Sequence, residues 1–287
     1  WDSTENVFIE GENLETLKKI GKKPFFANAY PQIYFEHLKK SNARVSVPTL
    51  CSLYSDTILN KFEKCGLLQK ISEDSFTLSE NGYRLLRQLE QRRSDALSSY
   101  IPLPVNDLMD LTSRLKEVSD SCISVGTPPG KWCIQLCKKH APAAGSPIMS
   151  RIDQIIKELI AFHDDASLSV WKAYCVSGHA WDILTVLWME EKSTISILQE
   201  KLAIRGFSSE QTFLAVEELA KKGLVLVDID EVKISPFGHE VRKIAEDTID
   251  RYFYAPWKYF SDDFLEKLLF LLNQCHKNIS VLDEIFC

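Results

Sequence analysis

Between residues 62 and 86 the chain reads FEKCGLLQKISEDSFTLSENGYRLL, and between 219 and 242 it reads LAKKGLVLVDIDEVKISPFGHEVR. Both stretches carry one order of apolar and polar positions. Each has a helix end, a glycine, an apolar strand, an acidic turn, a short strand, a serine, and a glycine inside a new helix. Gly66 and Gly223 stand where a helix C-terminus needs a left-handed residue. Apolar strands follow at Leu67 to Ile71 and at Leu224 to Ile229, and the turns at Glu73-Asp74 and Asp230-Glu231 lack the Asn-Gly pair of a tight hairpin. Ser79 and Ser235 then precede amphipathic helices, as N-caps do. Two such units with nearly equal internal spacing constitute a repeat.

Helical patterns stand upstream of each hairpin. In the first copy they run from Val45 to Tyr54 and from Asp56 to Cys65. In the second they run from Trp181 to Met189, Ile195 to Leu202 and Ser209 to Lys222, with Ser193 and Ser208 as caps. Between the copies, residues 96–150 hold Pro102, Pro104, Pro128, Pro129, Pro142 and Pro147, which predict short helices and loops. From Pro147 a cleaner helix begins, with Ile152, Ile155, Ile156, Leu159, Ile160 and His163 on one stripe. The tail helix after Ser261 puts Phe264, Leu265, Leu268, Leu269 and Leu272 on one face, and Asp262 and Asp263 suit its N-terminus. The expected fold is mainly α (α+β): two winged-helix modules joined by a helical segment, with a C-terminal amphipathic helix. The predicted segments are residues 1–95 and 178–255 for the modules, 96–177 for the linker and 256–287 for the last helix.

The two copies end in TLSENGYRLL and KISPFGHEVR and resemble the wings of MarR-type transcription regulators over about 50 residues each, a likeness that implies fold and not chemistry. From residue 158 onward, ELIAFHDDASLSVW, RGFSSEQ, AVEELAKKGLV and TIDRYFYAPW are similar to the C-terminal half of the SalK-like family of bacterial tandem winged-helix proteins. That resemblance carries no catalytic residue across. A third likeness misleads: NVFIEGENLETLKKI, residues 6–20, is similar to a segment near the start of some adenine-specific DNA methyltransferases. The Asp-Pro-Pro-Tyr-type tetrapeptide and the cofactor-binding strand and loop of those enzymes do not occur in this sequence, so Asn13 to Ile20 reads as amphipathic helix.

The chain has 287 residues, 45% hydrophobic and 26% charged, which is enough for two or three domains with cores of their own. A net charge of -6 exerts no bulk attraction on nucleic acid or anionic membrane. No apolar run approaches the roughly 20 residues that span a bilayer; the longest near the end, Leu268 to Leu272, is a helix face. Asp2, Glu5, Glu10, Glu12 and Glu15 do not fit a signal peptide, although a leader ahead of Trp1 stays open. Eight scattered cysteines fit free thiols in a reducing, cytoplasmic setting, with Cys51, Cys65, Cys175 and Cys275 inside apolar helical patterns. Cys133 and Cys137 lie one helical turn apart, near His140 and Cys122, but structural zinc spacings pair two close couples. Buried thiols are the expectation there, with no metal and no cofactor.

Local charge bears on DNA. Residues 1–95 hold 14 Lys/Arg against 13 Asp/Glu, residues 96–177 hold 8 against 8, and residues 178–287 hold 12 against 19. A helix-turn-helix needs basic residues to brace on phosphates. The second copy offers Glu210, Glu217 and Glu218 on its candidate recognition helix, with Lys221 and Lys222 only at the end, so DNA contact there is not expected. The first copy offers Asn60, Lys61, Lys64 and Arg84 as DNA-binding candidates, followed by Arg87, Arg92 and Arg93. Those later arginines fit a solvated helix face. The turn from Ser72 to Ser75 has no basic residue.

His163, Asp164, Asp165, Trp171, His179 and Trp181 are the ligand-pocket candidates, with Tyr174, Asp182 and Trp188 close in sequence. A histidine beside two carboxylates and aromatics suits ligand binding or proton transfer; the structural reading makes His163 a hydrogen-bonded core residue and the tryptophans core. Residues 251–260, RYFYAPWKYF, hold enough aromatic surface for an interface, and a homodimer through them is expected. Gly126 to Lys131 falls one residue short of a phosphate loop, and Trp132 stands where Ser or Thr belongs. No nucleophile elbow or zinc-protease helix is present. Three readings follow. The first is a MarR-like, ligand-responsive regulator touching DNA through its first module. The second is a winged-helix scaffold for protein partners, and the third is an enzyme using the His163–Asp165 region, for which no catalytic residue stands out.

Overall fold

The computed structural model describes residues 60–286, with 61, 73–74, 99, 140–144, 204–205 and 230 outside the described set. The chain is mainly helical, with a small three-stranded sheet and a separate hairpin. It divides into two compact units, one holding residues 84–166 and 252–286, the other holding the described residues up to 83 and residues 167–251. The predicted helices at Asn13 to Ile20 and Val45 to Tyr54, with Cys51, lie outside the described residues.

The first hairpin pairs β1 (Leu68–Ser72) with β2 (Ser75–Leu78), antiparallel, and leads into α1 (Glu80–Ser98). Its register shifts between Lys70 and Ser72. Gly66, at φ +69°, ends the preceding helix in the left-handed conformation that glycine adopts without strain.

In the first unit, α2 spans Val105–Ser124, α3 spans Trp132–Lys138 and α4 begins at Ile148 and runs to Trp171. The prolines predicted short pieces over 96–150, yet α2 is 20 residues long. Pro102 and Pro104 precede it and Pro128 and Pro129 follow it, so none interrupts its hydrogen bonds. Its buried residues Leu108, Leu111, Leu115, Val118 and Cys122 recur at helical spacing. The last helix, α9 (Asp262–Phe286), packs against α2 and buries Leu268, Leu271 and Cys275. Leu269 was placed on that face by the sequence pattern but points out, 59% exposed. Asn278 Nδ2 donates to Pro102 O at 2.7 Å, fastening α9 to the chain that leads into α2.

The longer stretch of the second unit, from residue 178 on, runs helix, strand, helix, helix, hairpin. It comprises α5 (Gly178–Glu190), β3 (Lys192–Thr194), α6 (Ile195–Lys201), α7 (Ser209–Lys221), β4 (Val225–Asp228) and β5 (Glu231–Ile234). The helix α8 (Pro236–Phe253) follows and runs on into the first unit's last segment. Strand order is β3-β5-β4, all antiparallel. Ile183, Leu184 and Leu187 of α5, Leu219 of α7 and Val232 of β5 form a core with essentially no exposure. Each such side chain contributes roughly 1.5–3 kcal/mol by leaving water. Ser208 caps α7 in a reciprocal capping box with Gln211. The other expected cap is corrected: Ser193 lies buried within β3, and Thr194 caps α6 by accepting from the Ile197 amide.

Candidate functional site

Both hairpins are closed by the same bonds. In the second unit Leu224 N donates to Leu219 O at 2.9 Å and Ser235 N to Leu224 O at 3.0 Å. In the first hairpin Leu67 N donates to Phe62 O at 2.9 Å and Ser79 N to Leu67 O at 3.0 Å. The serine hydroxyls do two things at once. Ser235 Oγ donates to Gly223 O at 2.6 Å and accepts from Gly238 N at 2.8 Å, while Ser79 Oγ donates to Gly66 O and accepts from Gly82 N at 3.0 Å. Both expected caps are therefore present. These bonds fix an equivalence: Asn60, Lys61, Lys64, Lys70 and Arg84 of the first copy match Glu217, Glu218, Lys221, Val227 and Glu240 of the second.

Of the DNA candidates, Lys64 and Arg84 are exposed and Asn60 is half-buried; Lys61 lies outside the described residues. Lys70, exposed on β1, joins this basic set; it lies in a strand whose sequence signal is apolar, so it does not stand out in the sequence. In the second unit, α7 buries Thr212, Ala215, Val216 and Leu219. Its opposite stripe carries Glu210, Phe213, Leu214, Glu217 and Lys221, with Phe213 and Leu214 each more than half exposed. Glu217 pairs with Lys221 at 2.9 Å.

The ligand-pocket candidates fall in both units. His163, Asp164 and Asp165 belong to the first unit, whereas Trp171, His179 and Trp181 belong to the second. His163 was expected on the buried stripe of its helix and is instead exposed, with its ring edge-on to Phe253 at 5.5 Å. The inward position is Phe162, with no exposed surface. Asp164 is buried. Asp165 turns inward and accepts from the backbone amides of Cys133 at 2.9 Å and Ile134 at 3.0 Å, capping the N-terminus of α3 from a different helix. Burial lifts its carboxyl to about 6, although the two amides and Lys131 pull it down.

Lys131, the last residue of the phosphate-loop look-alike, donates to Ile123 O at 3.0 Å and to Val125 O, so it closes the C-terminus of α2. Nearby, Glu158 of α4 accepts from Ser119 Oγ at 2.6 Å and pairs with Lys138 at 3.0 Å, and Lys138 also meets Asp120 at 2.9 Å. Gln154 donates to Cys137 O at 2.9 Å. Desolvation opposes the charge on Lys138, but Asp120 and Glu158 outweigh it and its pKa is raised. Such a satisfied network fixes how α2, α3 and α4 meet.

In the second unit, Trp171 Nε1 donates to Val176 O at 2.8 Å. His179 stacks on Phe207 at 3.9 Å and meets Thr212 Oγ1 at 3.1 Å. Trp181 stacks on Tyr174 at 5.2 Å. Trp181 and Trp188, expected in the core, are half-buried against its edge. Over their faces lies Arg242, with its guanidinium carbon 4.6 Å from Trp181 and 5.5 Å from Trp188. Arg242 is 3% exposed and paired with Glu246. Burial pulls its pKa down, against Glu246, Tyr174 and Asp182. A lone arginine in an amphipathic helix reads as surface, so nothing in the sequence singled it out.

Cys122, Cys133 and Cys137 are buried, and desolvation pushes Cys122 and Cys137 up to about 12 and Cys133 well above its usual value. These thiols hold their protons at neutral pH and are poor nucleophiles. Cys65 and Cys175, expected in buried helical positions, are exposed, and Cys175 has a left-handed φ of 51°. Among the described residues, no group of three or more His, Cys, Asp or Glu is arranged to hold a metal. Phe253, expected at a dimer interface, is buried against Phe162 at 6.2 Å within its own unit. Among the same residues no helix is long and apolar enough to cross a membrane. No protein-family model, curated protein or solved structure matches the chain.

Proposed function

We propose that this chain is a regulatory protein of two winged-helix modules, resembling MarR-type regulators, that contacts DNA through its first module and not its second. The helix–strand–helix–helix–hairpin order of the second unit, with strand order β3-β5-β4, supports the winged-helix reading. The repeated serine closure extends it to the first hairpin. One observation carries the division of labour. At equivalent places, Asn60, Lys61, Lys70 and Arg84 stand against Glu217, Glu218, Val227 and Glu240, and only Lys64 keeps its sign in Lys221. Phosphate contact needs the first set and is repelled by the second.

Fluorescence anisotropy on a random-sequence duplex at two salt concentrations tests this. Affinity should fall as salt rises. Lys64→Glu with Arg84→Glu should abolish binding, while Lys221→Glu with Lys222→Glu should leave it intact. Equal loss from both pairs, or no binding by the wild type, overturns the reading.

A further inference from the structure

We propose that Asn81 and Gly82, at the start of α1, form a self-modifying site. The asparagine converts unaided to aspartate or isoaspartate, Ser79 restrains the reaction, and the new carboxylate weakens the DNA contact of the first module. The conversion depends on these residues alone; its effect on DNA rests on the function proposed above.

Asn81 is the one asparagine of the chain followed by glycine. In such a pair the backbone nitrogen of the glycine attacks the side-chain amide carbon of the asparagine, with no Cβ on the glycine to obstruct it. The N–Cγ bond forms, and the side-chain nitrogen leaves as ammonia with the proton that the backbone nitrogen gives up. A five-membered succinimide remains. Water then opens the ring at either carbonyl, giving aspartate or isoaspartate. Nothing is oxidised or reduced, and water is the only co-reactant.

The hairpin corner explains why the pair exists and why it is restrained. Gly82 is buried and donates its N–H to Ser79 Oγ at 3.0 Å, the bond that Gly238 makes to Ser235 in the second copy. There a Cβ would strike the carbonyl of Leu224, so the corner calls for glycine on packing grounds. The residue before it is free to differ. In the second copy it is Phe237, 55% exposed and without an amide; in the first it is Asn81, exposed, with Nδ2 3.8 Å from where a Cβ on Gly66 would stand. Ring closure needs the Asn81 backbone to leave the helical conformation. The Ser79 bond holds it there, so the reaction waits on opening of the first turn of α1.

The product changes the charge beside the basic set. Glu80 and Arg84 are exposed one turn apart on α1. Aspartate at 81 stands at i, i+3 to Arg84 and sets two carboxylates against one guanidinium. An acid in the first turn suits the helix dipole, so this product stays helical while Arg84 is drawn away from phosphate.

The test ages the full chain in warm, mildly alkaline buffer and follows peptide masses. Asn81 should convert, while Asn106, also exposed in the first turn of its helix but followed by Asp107, keeps its amide. Ser79→Ala should speed the conversion and Ser79→Thr, which retains the hydroxyl, should not. Should Ser79→Ala fail to fold, wild type in denaturant takes its place, and the same acceleration is expected. In anisotropy Asn81→Asp should bind a duplex about two- to fivefold more weakly than wild type, the range of one exposed charge pair, and Asn81→Gln should match wild type. An amide that persists at 81, equal conversion at Asn106, or a rate indifferent to the cap overturns the proposal. Unchanged duplex binding by Asn81→Asp overturns its charge effect. Absence of duplex binding by the wild type instead sinks the function proposed above, and the masses still decide the conversion.

Discussion

Ser235 donates from its hydroxyl to the carbonyl of Gly223 at 2.6 Å, and its counterpart Ser79 donates to Gly66. The bond ties the start of one helix to the end of another across the base of a hairpin. It also explains why glycine and serine recur at these places. The glycine must be left-handed, at φ +71° in the second copy, and the serine must accept and donate together. The separation is 13 residues in the first copy and 12 in the second, and the extra residue appears as the register shift between Lys70 and Ser72.

Gly238 tests how tightly that corner is built. A Cβ there would lie 2.1 Å from Leu224 O and 2.9 Å from Ile234 Cγ1. Gly238→Ala should lower stability by about 2–4 kcal/mol, since backbone must move. Gly126→Ala, with nothing within 4 Å, should be nearly neutral. Thermal melts of the two variants compare them directly, and equal melting temperatures would show that the corner yields.

Asp165 gives a pH signature. Its carboxyl is raised from 3.8 to about 6 in the folded chain, so the folded state holds the proton more tightly than the unfolded one. The sign follows: this group's contribution is fully present below about pH 4 and is lost as pH rises through about 6. Two pKa steps correspond to about 3 kcal/mol. Asp165→Asn removes the titration, so the stability difference, wild type minus variant, should shrink between pH 4 and pH 7. A difference independent of pH, measured by denaturant unfolding, contradicts the assigned titration.

His163 separates a surface residue from a core one. Exposed and edge-on to Phe253, it should tolerate alanine within about 0.5 kcal/mol. Phe162→Ala, one residue away and fully buried, should cost about 3–5 kcal/mol. Differential scanning fluorimetry reads both, and a large drop for His163→Ala refutes the placement.

How much of this was legible depended on whether the signal was local. The glycine and serine of each hairpin act on neighbours in sequence, and both were found. The capping box of Ser208 was equally local. Strand β3 was not found, because Lys192-Ser193-Thr194 is three polar residues and becomes a strand only by pairing with β5. The buried side of α4 was misread because Asp153, Gln154, Glu158 and Asp165 are inward on it, against the usual binary pattern. Counting apolar residues alone turned the helix toward Ile160 and His163, when Leu159 and Phe162 lead inward. Asp165 was singled out as a candidate ligand group, and no sequence rule could pair it with amides more than thirty residues earlier. The Arg242–tryptophan contacts likewise join residues far apart in the chain.

The cap that Asp165 places on α3 also bears on the order of folding. A helix of seven residues is too short to persist alone in water. Its first amides find their acceptor on α4, 31 and 32 residues further along. The segment therefore becomes helical only once α4 exists and has docked, so α3 forms late and opens together with its partner. Amide exchange at Cys133 and Ile134 then reports on the seating of α4 as much as on the helix they begin.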